Sequence, residues 1–260
     1  MILAILQARM SSTRLPGKVM KQIVGKPMLE LQIERIRQSI RIDKLVVATS
    51  FEPEDDPIEE LCDNLGVDCF RGNLNDVLDR FYQAASQYKP QLIVRLTGDC
   101  PLTDPEVIDY GIAFYENNPY DYVSNSVERT YPIGLDLEVF SFKHLKEAAQ
   151  KAELPSEREH VTAYFRNHRD EYKVGQFHCD TDLSEHRWTV DEPADFEFVT
   201  KIYEALYLTN PRFTTHDILT LISERPDLMT INYAIMHNQG YEKSLREDRE
   251  YLEAREKQPV

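Results

Sequence analysis

The sequence predicts an α/β protein whose core is an open, mostly parallel sheet with helices on both faces. Short apolar runs alternate with segments of helical character between residues 2 and 96. This alternation is typical of strand–helix–strand units, in which each helix crosses over the sheet between parallel strands. The runs are continuous rather than alternating, which is typical of strands buried on both faces.

The first half of the chain divides into four strands and three helices. Strands are predicted over 2–7, 45–49, 67–70 and 92–96, with helices over 27–39, 57–65 and 75–88. The first helix offers Leu29, Ile33 and Ile36 for packing. The second stops at Gly66, a residue type that readily takes the left-handed conformation of a C-terminal cap.

The second half mixes the two kinds of element. Strands are predicted over 121–124, 137–140, 172–178 and 187–190, and helices over 142–152, 158–167 and 193–204. Residues 241–257 are rich in both charge signs, which predicts an exposed helix or a frayed tail. We expect one domain over 1–210, with a small mixed α+β lobe at 121–190 inside it, and a charged helical extension over 211–260.

Composition limits the classes of partner. The chain has 260 residues, with 30 Lys and Arg against 45 Asp and Glu, and a formal net charge of −15. Because there is no excess of cations, binding to nucleic acid is not expected. No apolar run is long enough for a bilayer span and no signal-peptide pattern is present, so we expect a cytoplasmic protein without a membrane partner. The four cysteines form no C-x-x-C pair, which disfavours a zinc site.

The opening segment is an electrostatic exception. No acidic residue precedes Glu30, whereas five basic residues do: Arg9, Arg14, Lys18, Lys21 and Lys26. The loop after the first strand also contains serine, threonine and glycine, whose backbone N–H groups can hold phosphate oxygens. It matches neither G-x-x-x-x-G-K-[ST] nor G-x-G-x-x-G. Its place at the carboxyl end of the first strand predicts a site for a small phosphate-bearing ligand, with a solvated basic turn as the alternative.

Two other predicted strands end in a carboxylate. Asp99 follows the strand over 92–96, and Asp191 follows the strand over 187–190. A carboxylate at a strand end is well placed to bind Mg²⁺ beside a phosphate. The alternatives are a turn-stabilising role for Asp99 and a helix-capping role for Asp191, because Pro193 opens a helix.

Three weaker signals complete the candidate set. Arg71 follows the third strand, where it is placed to border a nucleotide base. Glu159 and His160 open a helix in the mixed half, where an acceptor pocket is expected. Asp180 and Asp182 match the D-x-D tripeptide of metal-dependent glycosyltransferases, a short motif that often arises by chance in an acidic chain.

Several motifs, in order along the chain, resemble those of the cytidylyltransferases that make CMP-activated acidic sugars. They are Q-A-R-x-x-S-T-R-L-P-G-K over 7–18, D-V-L-D-R over 76–80, R-L-T-G-D-C-P over 95–101, G-L-D-L-E-V-F over 134–140, R-E-H-V-T over 158–162 and T-V-D-E-P-A-D over 189–195. The family includes the CMP-Kdo synthetases and the acylneuraminate cytidylyltransferases. The motifs are most similar to its spore coat polysaccharide biosynthesis protein F branch.

The resemblance implies a three-layer, Rossmann-like nucleotidyltransferase fold, CTP as donor, Mg²⁺ as cofactor and a homodimer. The implied catalytic residues are Arg9, Arg14, Lys18, Asp99 and Asp191, with the two aspartates as metal ligands. The implied nucleotide contacts are Leu6, Gln7, Ala8, Arg9, Ser12, Lys18, Arg71, Thr97 and Gly98. Relatives often have Gln where this chain has Thr97, so contacts at that position are expected to differ. The expected acceptor contacts are Asp136, Glu138, Glu159 and His160.

The expected reaction moves CMP from CTP to an acidic sugar or related small anionic acceptor, with release of pyrophosphate, in surface polysaccharide biosynthesis. A metal-dependent GT-A-like glycosyltransferase is one alternative, supported by the D-x-D tripeptide alone. A non-catalytic nucleotide-binding subunit is the other, although such a module would not need the charged site residues.

Overall fold

The structure, a computed structural model, describes residues 1–235 and 239–256. Its strands are β1 (Ile2–Gln7), β2 (Gln22–Ile23), β3 (Lys26–Pro27), β4 (Lys44–Ser50), β5 (Asp68–Gly72), β6 (Leu92–Thr97), β7 (Tyr122–Ser124), β8 (Glu138–Ser141) and β9 (Val174–Gln176). Its α-helices are α1 (Met28–Ile36), α2 (Asp56–Leu65), α3 (Val77–Tyr88), α4 (Pro105–Asn117), α5 (Phe142–Lys151), α6 (Pro155–Glu159), α7 (Ala163–Asn167), α8 (Pro193–Leu206), α9 (Thr215–Glu224) and α10 (Gln239–Glu256).

The strands form one seven-stranded sheet and a small hairpin. The sheet order is β5-β4-β1-β6-β8-β7-β9, and β2 pairs with β3 in the hairpin. Strands β5, β4, β1 and β6 run parallel, whereas β8 is antiparallel to both of its neighbours. The predicted α/β class with a mostly parallel sheet is confirmed.

Buried apolar layers cover both faces of the sheet. On β1, Ala4 and Leu6 belong to one cluster, and Leu3 and Ile5 belong to the other, as the alternation of side chains along a strand requires. Helices α1, α2, α4, α8 and α9 supply the first cluster, and α3, α5 and α7 supply the second. The result is a three-layer arrangement in which the carboxyl ends of β1 and β6 share one edge of the sheet.

The strands of the region expected to form a lobe, 121–190, extend the main sheet. Strands β7, β8 and β9 all belong to it, with β8 paired directly to β6. This pairing places residues of the second half beside the carboxyl end of the central strands. The domain bounds at 1–210 and 211–260 stay predictions.

Two predicted elements of the second half are wrong. The helix over 158–167 is broken into α6 and α7, because Val161 has a left-handed backbone with φ of 55°. The strand over 187–190 has one isolated bridge, between Ile133 and Arg187, in place of a ladder. Tertiary contacts override local preference at both positions.

The helix α4 was missed by the sequence analysis, although its start carries a recognisable signal. Asp104 is the N-cap, and its Oδ1 accepts from the N–H of Glu106 at 2.9 Å. Pro105 follows at the first helical position, where a proline costs no hydrogen bond.

Helix α10 is described over Gln239–Glu256, so of the two forms predicted for 241–257, an exposed helix or a frayed tail, the helix is found as far as Glu256. Lys257 lies outside the described residues. Asp248 of α10 accepts a hydrogen bond from the N–H of Ser156 at 2.9 Å, at the start of α6. Through residues 1–235 and 239–256, no helix has both the length and the apolar character that a bilayer span requires.

Candidate functional site

The site begins where β1 and β6 end side by side. Gln7 pairs with Thr97, and the N–H of Gly98 donates to the carbonyl of Gln7 at 2.7 Å. A Cβ atom on Gly98 would lie 3.0 Å from that carbonyl oxygen. A glycine here therefore allows the two strand ends to stay in close contact as the chain turns toward Asp99.

The loop after β1 is closed on itself and anchored to the neighbouring strand. The N–H of Gly17 donates to the carbonyl of Met10 at 2.9 Å, and Gly17 has a φ of 66°. The N–H of Met10 donates to Oδ1 of buried Asp55 at 2.7 Å. Asp55 also accepts from the N–H of Ser50 at 3.1 Å, so one carboxylate joins the loop to the end of β4.

The segment before α8 is held against the end of β6. The carbonyl of Asp99 accepts from the N–H of Val190 at 2.7 Å and from Oγ1 of Thr189 at 3.1 Å. These bonds explain why 187–190 does not form a ladder: its polar groups bind a loop instead of a strand. They also bring Asp191 beside Asp99, although 91 positions separate the two in the chain.

Lys18 bridges the two aspartates. Its Nζ lies 3.0 Å from Oδ1 of Asp191 and 3.7 Å from Oδ2 of Asp99, and it donates to the carbonyl of Val190 at 2.7 Å. The lysine side chain is only 10 % exposed. Arg14 adds a second cation, with Nη2 at 3.0 Å from the same Oδ1 of Asp191. The basic loop and the two carboxylates therefore form one charged cluster.

A buried network fixes Asp191 from behind. Arg187 binds Asp195 through two donors, at 2.8 and 2.9 Å, and reaches Oδ2 of Asp191 at 3.2 Å. Asp195 accepts from the backbone N–H groups of Asp191 and Glu192, each at 3.0 Å. Glu192, rather than Asp191, is the N-cap of α8. Asp191 thus presents Oδ1 to Lys18 and Arg14, while its Oδ2 binds Arg187.

The two aspartates fit one divalent cation. Oxygens of both carboxylates lie near one ammonium nitrogen, at 3.0 and 3.7 Å, so the two side chains are close enough together to be compatible with a shared cation. Burial alone would raise the pKa of Asp99, but Lys18 and the hydrogen bonds from Thr97 and Cys100 lower it below its ordinary range. Magnesium is commonly held by one or two carboxylates together with water and substrate phosphates. Within the described chain no group of three or more such ligands occurs, so phosphates and water would complete the coordination.

A cavity of about 360 Å³ opens over this cluster. Its lining includes most of the residues that the sequence suggested, brought together from four separate segments. They are Gln7, Ala8, Arg9, Ser12, Arg14, Lys18, Thr97, Gly98, Asp99, Glu159, His160 and Asp191. Thr13, Val19, Val77 and Arg95 also line it.

Four expected site residues lie outside that lining. The side chain of Leu6 is buried in the core. Arg71 binds Asp56 and Glu59 at 2.6 and 2.8 Å. Asp136 is paired with Arg129 at 2.5 Å. Glu138 is buried behind Arg95, which it binds. Their expected ligand contacts stay predictions. In the structure their side chains contact other residues of the protein.

The D-x-D tripeptide has a local structural role. Asp180 and Asp182 lie outside the cavity lining, and Oδ1 of Asp182 accepts from the N–H of Ser184 at 3.0 Å. This Asx-turn bond is typical of an exposed loop. The tripeptide therefore gives no support to a glycosyltransferase.

Three residues that position the site were missed by the sequence analysis. Asp55 anchors the basic loop, Arg187 holds Asp191, and Arg95 lines the cavity. Arg95 was the easiest to find, because a charged residue inside the otherwise apolar strand β6 is unusual. The other two carry no local signal, since their partners are distant in sequence.

Known proteins share this architecture. A profile of the cytidylyltransferase family matches residues 3–214. Spore coat polysaccharide biosynthesis protein SpsF of Bacillus subtilis is 36% identical over 238 residues, covering 88% of this chain and 97% of that protein. A 3-deoxy-manno-octulosonate cytidylyltransferase of Geobacter sulfurreducens is 37% identical over 120 residues, which are 45% of this chain and 46% of that protein.

A solved structure agrees over nearly the whole chain. The cytidylyltransferase from Leptospira borgpetersenii is 33% identical, covers 91% of this chain and 99% of its own, and superposes with a TM-score of 0.85. The family match covers well over half of the sequence, including the basic loop and both aspartates. The chain therefore belongs to the cytidylyltransferase family.

Proposed function

We propose that this protein transfers CMP from CTP to a small acidic sugar, with Mg²⁺ as cofactor and release of pyrophosphate, in the biosynthesis of a surface polysaccharide. The observation that carries the proposal is the cluster in which Lys18 bridges Asp99 and Asp191 beneath the basic loop. The acidic sugar and the pathway are suggested by the printed names of the relatives, one a spore coat polysaccharide protein and one an octulosonate cytidylyltransferase.

The basic loop supplies the binding site for the triphosphate. Arg9, Arg14 and Lys18 line the cavity, and the loop is fixed before any ligand arrives. In the structure Arg14 and Lys18 share Asp191 as their nearest carboxylate, with Glu192 at 3.6 Å from Arg14 and Asp99 at 3.7 Å from Lys18. A triphosphate has several negatively charged oxygens, so we expect it to compete with these carboxylates for both cations. Preorganised cations of this kind stabilise the charge that grows on the leaving pyrophosphate.

The reaction is the displacement of pyrophosphate by an acceptor hydroxyl. The hydroxyl oxygen forms a bond to the α-phosphorus while the bond from that phosphorus to the oxygen bridging the α- and β-phosphates breaks. The bridging oxygen leaves with the pyrophosphate, and the hydroxyl proton passes to water or to the imidazole of His160. Mg²⁺ held by Asp99 and Asp191 would neutralise phosphate charge and make the acceptor hydroxyl more acidic. The protein's own contribution is mainly orientation and electrostatics.

His160 is suited to receive the acceptor hydroxyl. Burial lowers the pKa of its imidazole, and the charges of Arg95 and Arg166 lower it further against the opposing effect of Glu159. The ring is therefore neutral at neutral pH, and a neutral imidazole has a nitrogen that accepts a hydrogen bond. His160 and Glu159 both line the cavity.

The test is pyrophosphate release with each of the four nucleoside triphosphates against a panel of acidic sugars. We expect release with CTP and Mg²⁺, and its loss when Mg²⁺ is chelated. Asp99→Asn should lower turnover by at least about 100-fold, since one cation-binding charge is lost at the reacting phosphate. Its far-UV circular dichroism should match that of the wild type, which would show that the fold is intact.

Other results would change the assignment. Release of a nucleoside diphosphate from a nucleotide sugar would identify a glycosyltransferase. Tight CTP binding without turnover on any acceptor would favour a non-catalytic subunit. A fully active Asp99→Asn variant would contradict the role of the aspartate pair. The homodimer and the cytoplasmic location remain predictions, and light scattering of the purified protein tests the first.

A further inference from the structure

One side of the cavity has a cation that the triphosphate site does not use. Arg95 lies on β6, two residues before Thr97, and points to the face that carries α3. Its guanidinium carbon lies 5.8 Å from the ring centre of Phe81 on that helix. The side chain is 14 % exposed and lines the cavity together with Gln7 and His160.

Glu138 holds this guanidinium from the opposite side. In the register of β6 and β8, Glu138 lies directly across from Arg95, and its carboxylate accepts from Nη1. The same carboxylate accepts from the hydroxyl of Tyr122 at 2.5 Å and from Oγ1 of Thr162, and Nη1 of Arg166 lies 4.0 Å away. Glu138 is only 5% exposed, so its oxygens are used within the protein.

The charge of Glu138 is stable over the whole working range of pH. Burial would raise its pKa, but Arg95, Arg166 and the two hydroxyl donors together lower it to about 2. An ionised partner fixes one edge of the Arg95 guanidinium permanently. Such a charge-assisted contact fixes the orientation of the arginine as well as stabilising it.

The other edge of the guanidinium still has donors to offer. Among the described residues Nε of Arg95 has no hydrogen-bond acceptor, and Nη2 has only a long contact of 3.4 Å with Oε1 of Gln7. The edge formed by Nε and Nη2 has the geometry to bind the two oxygens of a carboxylate in parallel, once the atoms that cover buried Nε move aside. A buried N–H without an acceptor costs free energy, and a bound anion would remove that cost.

Arg95 has a different partner from Lys18 and Arg14 of the basic loop. Lys18 and Arg14 are drawn to Asp191, on the side of α8. Arg95 instead lies near His160, whose pKa it lowers. It also binds Glu138, which in turn accepts a hydrogen bond from Thr162. The arginine therefore belongs to the part of the cavity where the acceptor is expected.

We propose that Arg95 binds the carboxylate of the sugar acceptor and that Glu138 is the positioning residue that aims it. The inference rests on the proposed function and names the group by which the acceptor is selected. Acids are accepted because their carboxylate satisfies the free edge of Arg95, and neutral sugars are rejected because they leave that edge buried and unsatisfied.

The experiment compares Arg95→Met and Arg95→Lys with the wild type and with Arg41→Met. Arg41 is paired with Glu116 and lies outside the cavity lining. The probes are 3-deoxy-manno-octulosonate and N-acetylneuraminate, each with its methyl ester. Binding to the protein saturated with Mg²⁺ and a non-hydrolysable CTP analogue is measured by calorimetry, and pyrophosphate release is measured in parallel with CTP.

We expect Arg95→Met to weaken binding of the acid, or to raise its KM, by about 10- to 100-fold, as for the loss of a hydrogen-bonded ion pair. Binding of the CTP analogue should stay within about twofold, as should all constants of Arg41→Met. Arg95→Lys should recover part of the loss because it keeps the charge but not the paired donors. Glu138→Gln should raise the KM for the acid more than it lowers kcat, which a purely structural residue would not do.

Three results would overturn the inference. They are equal acid binding by Arg95→Met and the wild type, no preference of the wild type for either acid over its ester, and a weakening of nucleotide binding as large as that of the acid. The last would place a phosphate of CTP on Arg95. Pyrophosphate release with an unchanged KM in Arg95→Met refutes the inference alone, whereas Arg95-dependent acid binding without turnover refutes the proposed function alone.

Discussion

At the scale of single residues, burial and partners separate carboxylates that look alike in the sequence. Asp99 follows the strand β6 and Glu138 faces that strand from β8, and the pKa of each carboxyl is lowered. Asp99 is 32 % exposed to the cavity and near one ammonium group, so it remains available to a cation. Glu138 is buried with its oxygens occupied, so it acts on other side chains.

The pKa of Glu138 predicts how its removal changes stability with pH. Its value of about 2 in the folded protein is below the ordinary value of 4.5, so the ionised form stabilises the fold above pH 4.5. This contribution, about 3 kcal/mol, is lost as the pH falls toward 2. Glu138→Gln should therefore be less stable than the wild type at pH 7 and nearly equal to it at pH 2. Urea unfolding at several pH values measures the difference, and a constant difference would contradict the account.

Asp55 is the second residue whose role can be measured. Asp55→Asn keeps the size of the side chain but removes the charge that accepts from the N–H of Met10. The basic loop should become less well fixed, and CTP binding should weaken by about tenfold, equivalent to roughly 1.4 kcal/mol. Calorimetric titration with CTP checks this, with exposed Glu54→Gln as the matched control. An unchanged affinity would show that the loop does not depend on this anchor.

At the scale of elements, the segment between α9 and α10, beyond the residues 3–214 that match the family, holds residues of the site in place. Asn232 donates to the carbonyl of Arg187 at 2.9 Å and to Oδ1 of Asp195 at 3.0 Å. Both partners belong to the network that fixes Asp191. The residues between α9 and α10 are thus connected to the predicted metal ligand by buried hydrogen bonds.

This connection predicts an effect of Asn232 on both stability and activity. Asn232→Leu leaves a buried carbonyl and a carboxylate oxygen each without one donor, which costs about 1–3 kcal/mol. The Mg²⁺ concentration for half-maximal turnover should rise as Asp191 becomes less well fixed. The neighbouring Tyr233→Ser is the control, because Tyr233 is 79% exposed. A loss of stability with unchanged Mg²⁺ dependence would limit Asn232 to a structural role.

Element prediction succeeded where local patterns decide structure and failed where distant contacts do. The four parallel strands were placed from apolar runs alone, and α2 from its cap at Gly66. The break between α6 and α7 depends on Val161, a β-branched residue whose sequence gives no sign of a left-handed backbone. The 187–190 segment forms no ladder because Val190 binds the carbonyl of Asp99, a residue far away in the sequence.

At the scale of the whole molecule, the acidic balance of the chain makes the basic loop distinctive. The chain has a net charge of −15, yet Arg9, Arg14 and Lys18 all line its cavity. The resemblance to the cytidylyltransferases predicted that these cations and the two aspartates meet. It could not predict the pairing of Lys18 with both aspartates or the place of Arg95, since these depend on side-chain packing.

A ligand that binds only the folded protein should raise its stability as a whole. At a CTP concentration about 100 times the Kd, with Mg²⁺ present, the stabilisation is about 2.7 kcal/mol, which raises the Tm by several degrees. A thermal unfolding series with each triphosphate measures the shift. In Lys18→Ala the shift at the same CTP concentration should be much smaller. Equal shifts in this variant and the wild type would remove Lys18 from the triphosphate site.

The central claim is the transfer of CMP, and the fate of the α-phosphate tests it most directly. CTP labelled at the α-phosphate is incubated with the protein, Mg²⁺ and the acidic sugar that supports pyrophosphate release. The account predicts that the label moves into a product containing both the sugar and CMP, in equal amount to the pyrophosphate formed. Label that stays in CTP, or appears only in CMP or CDP without the sugar, would contradict it.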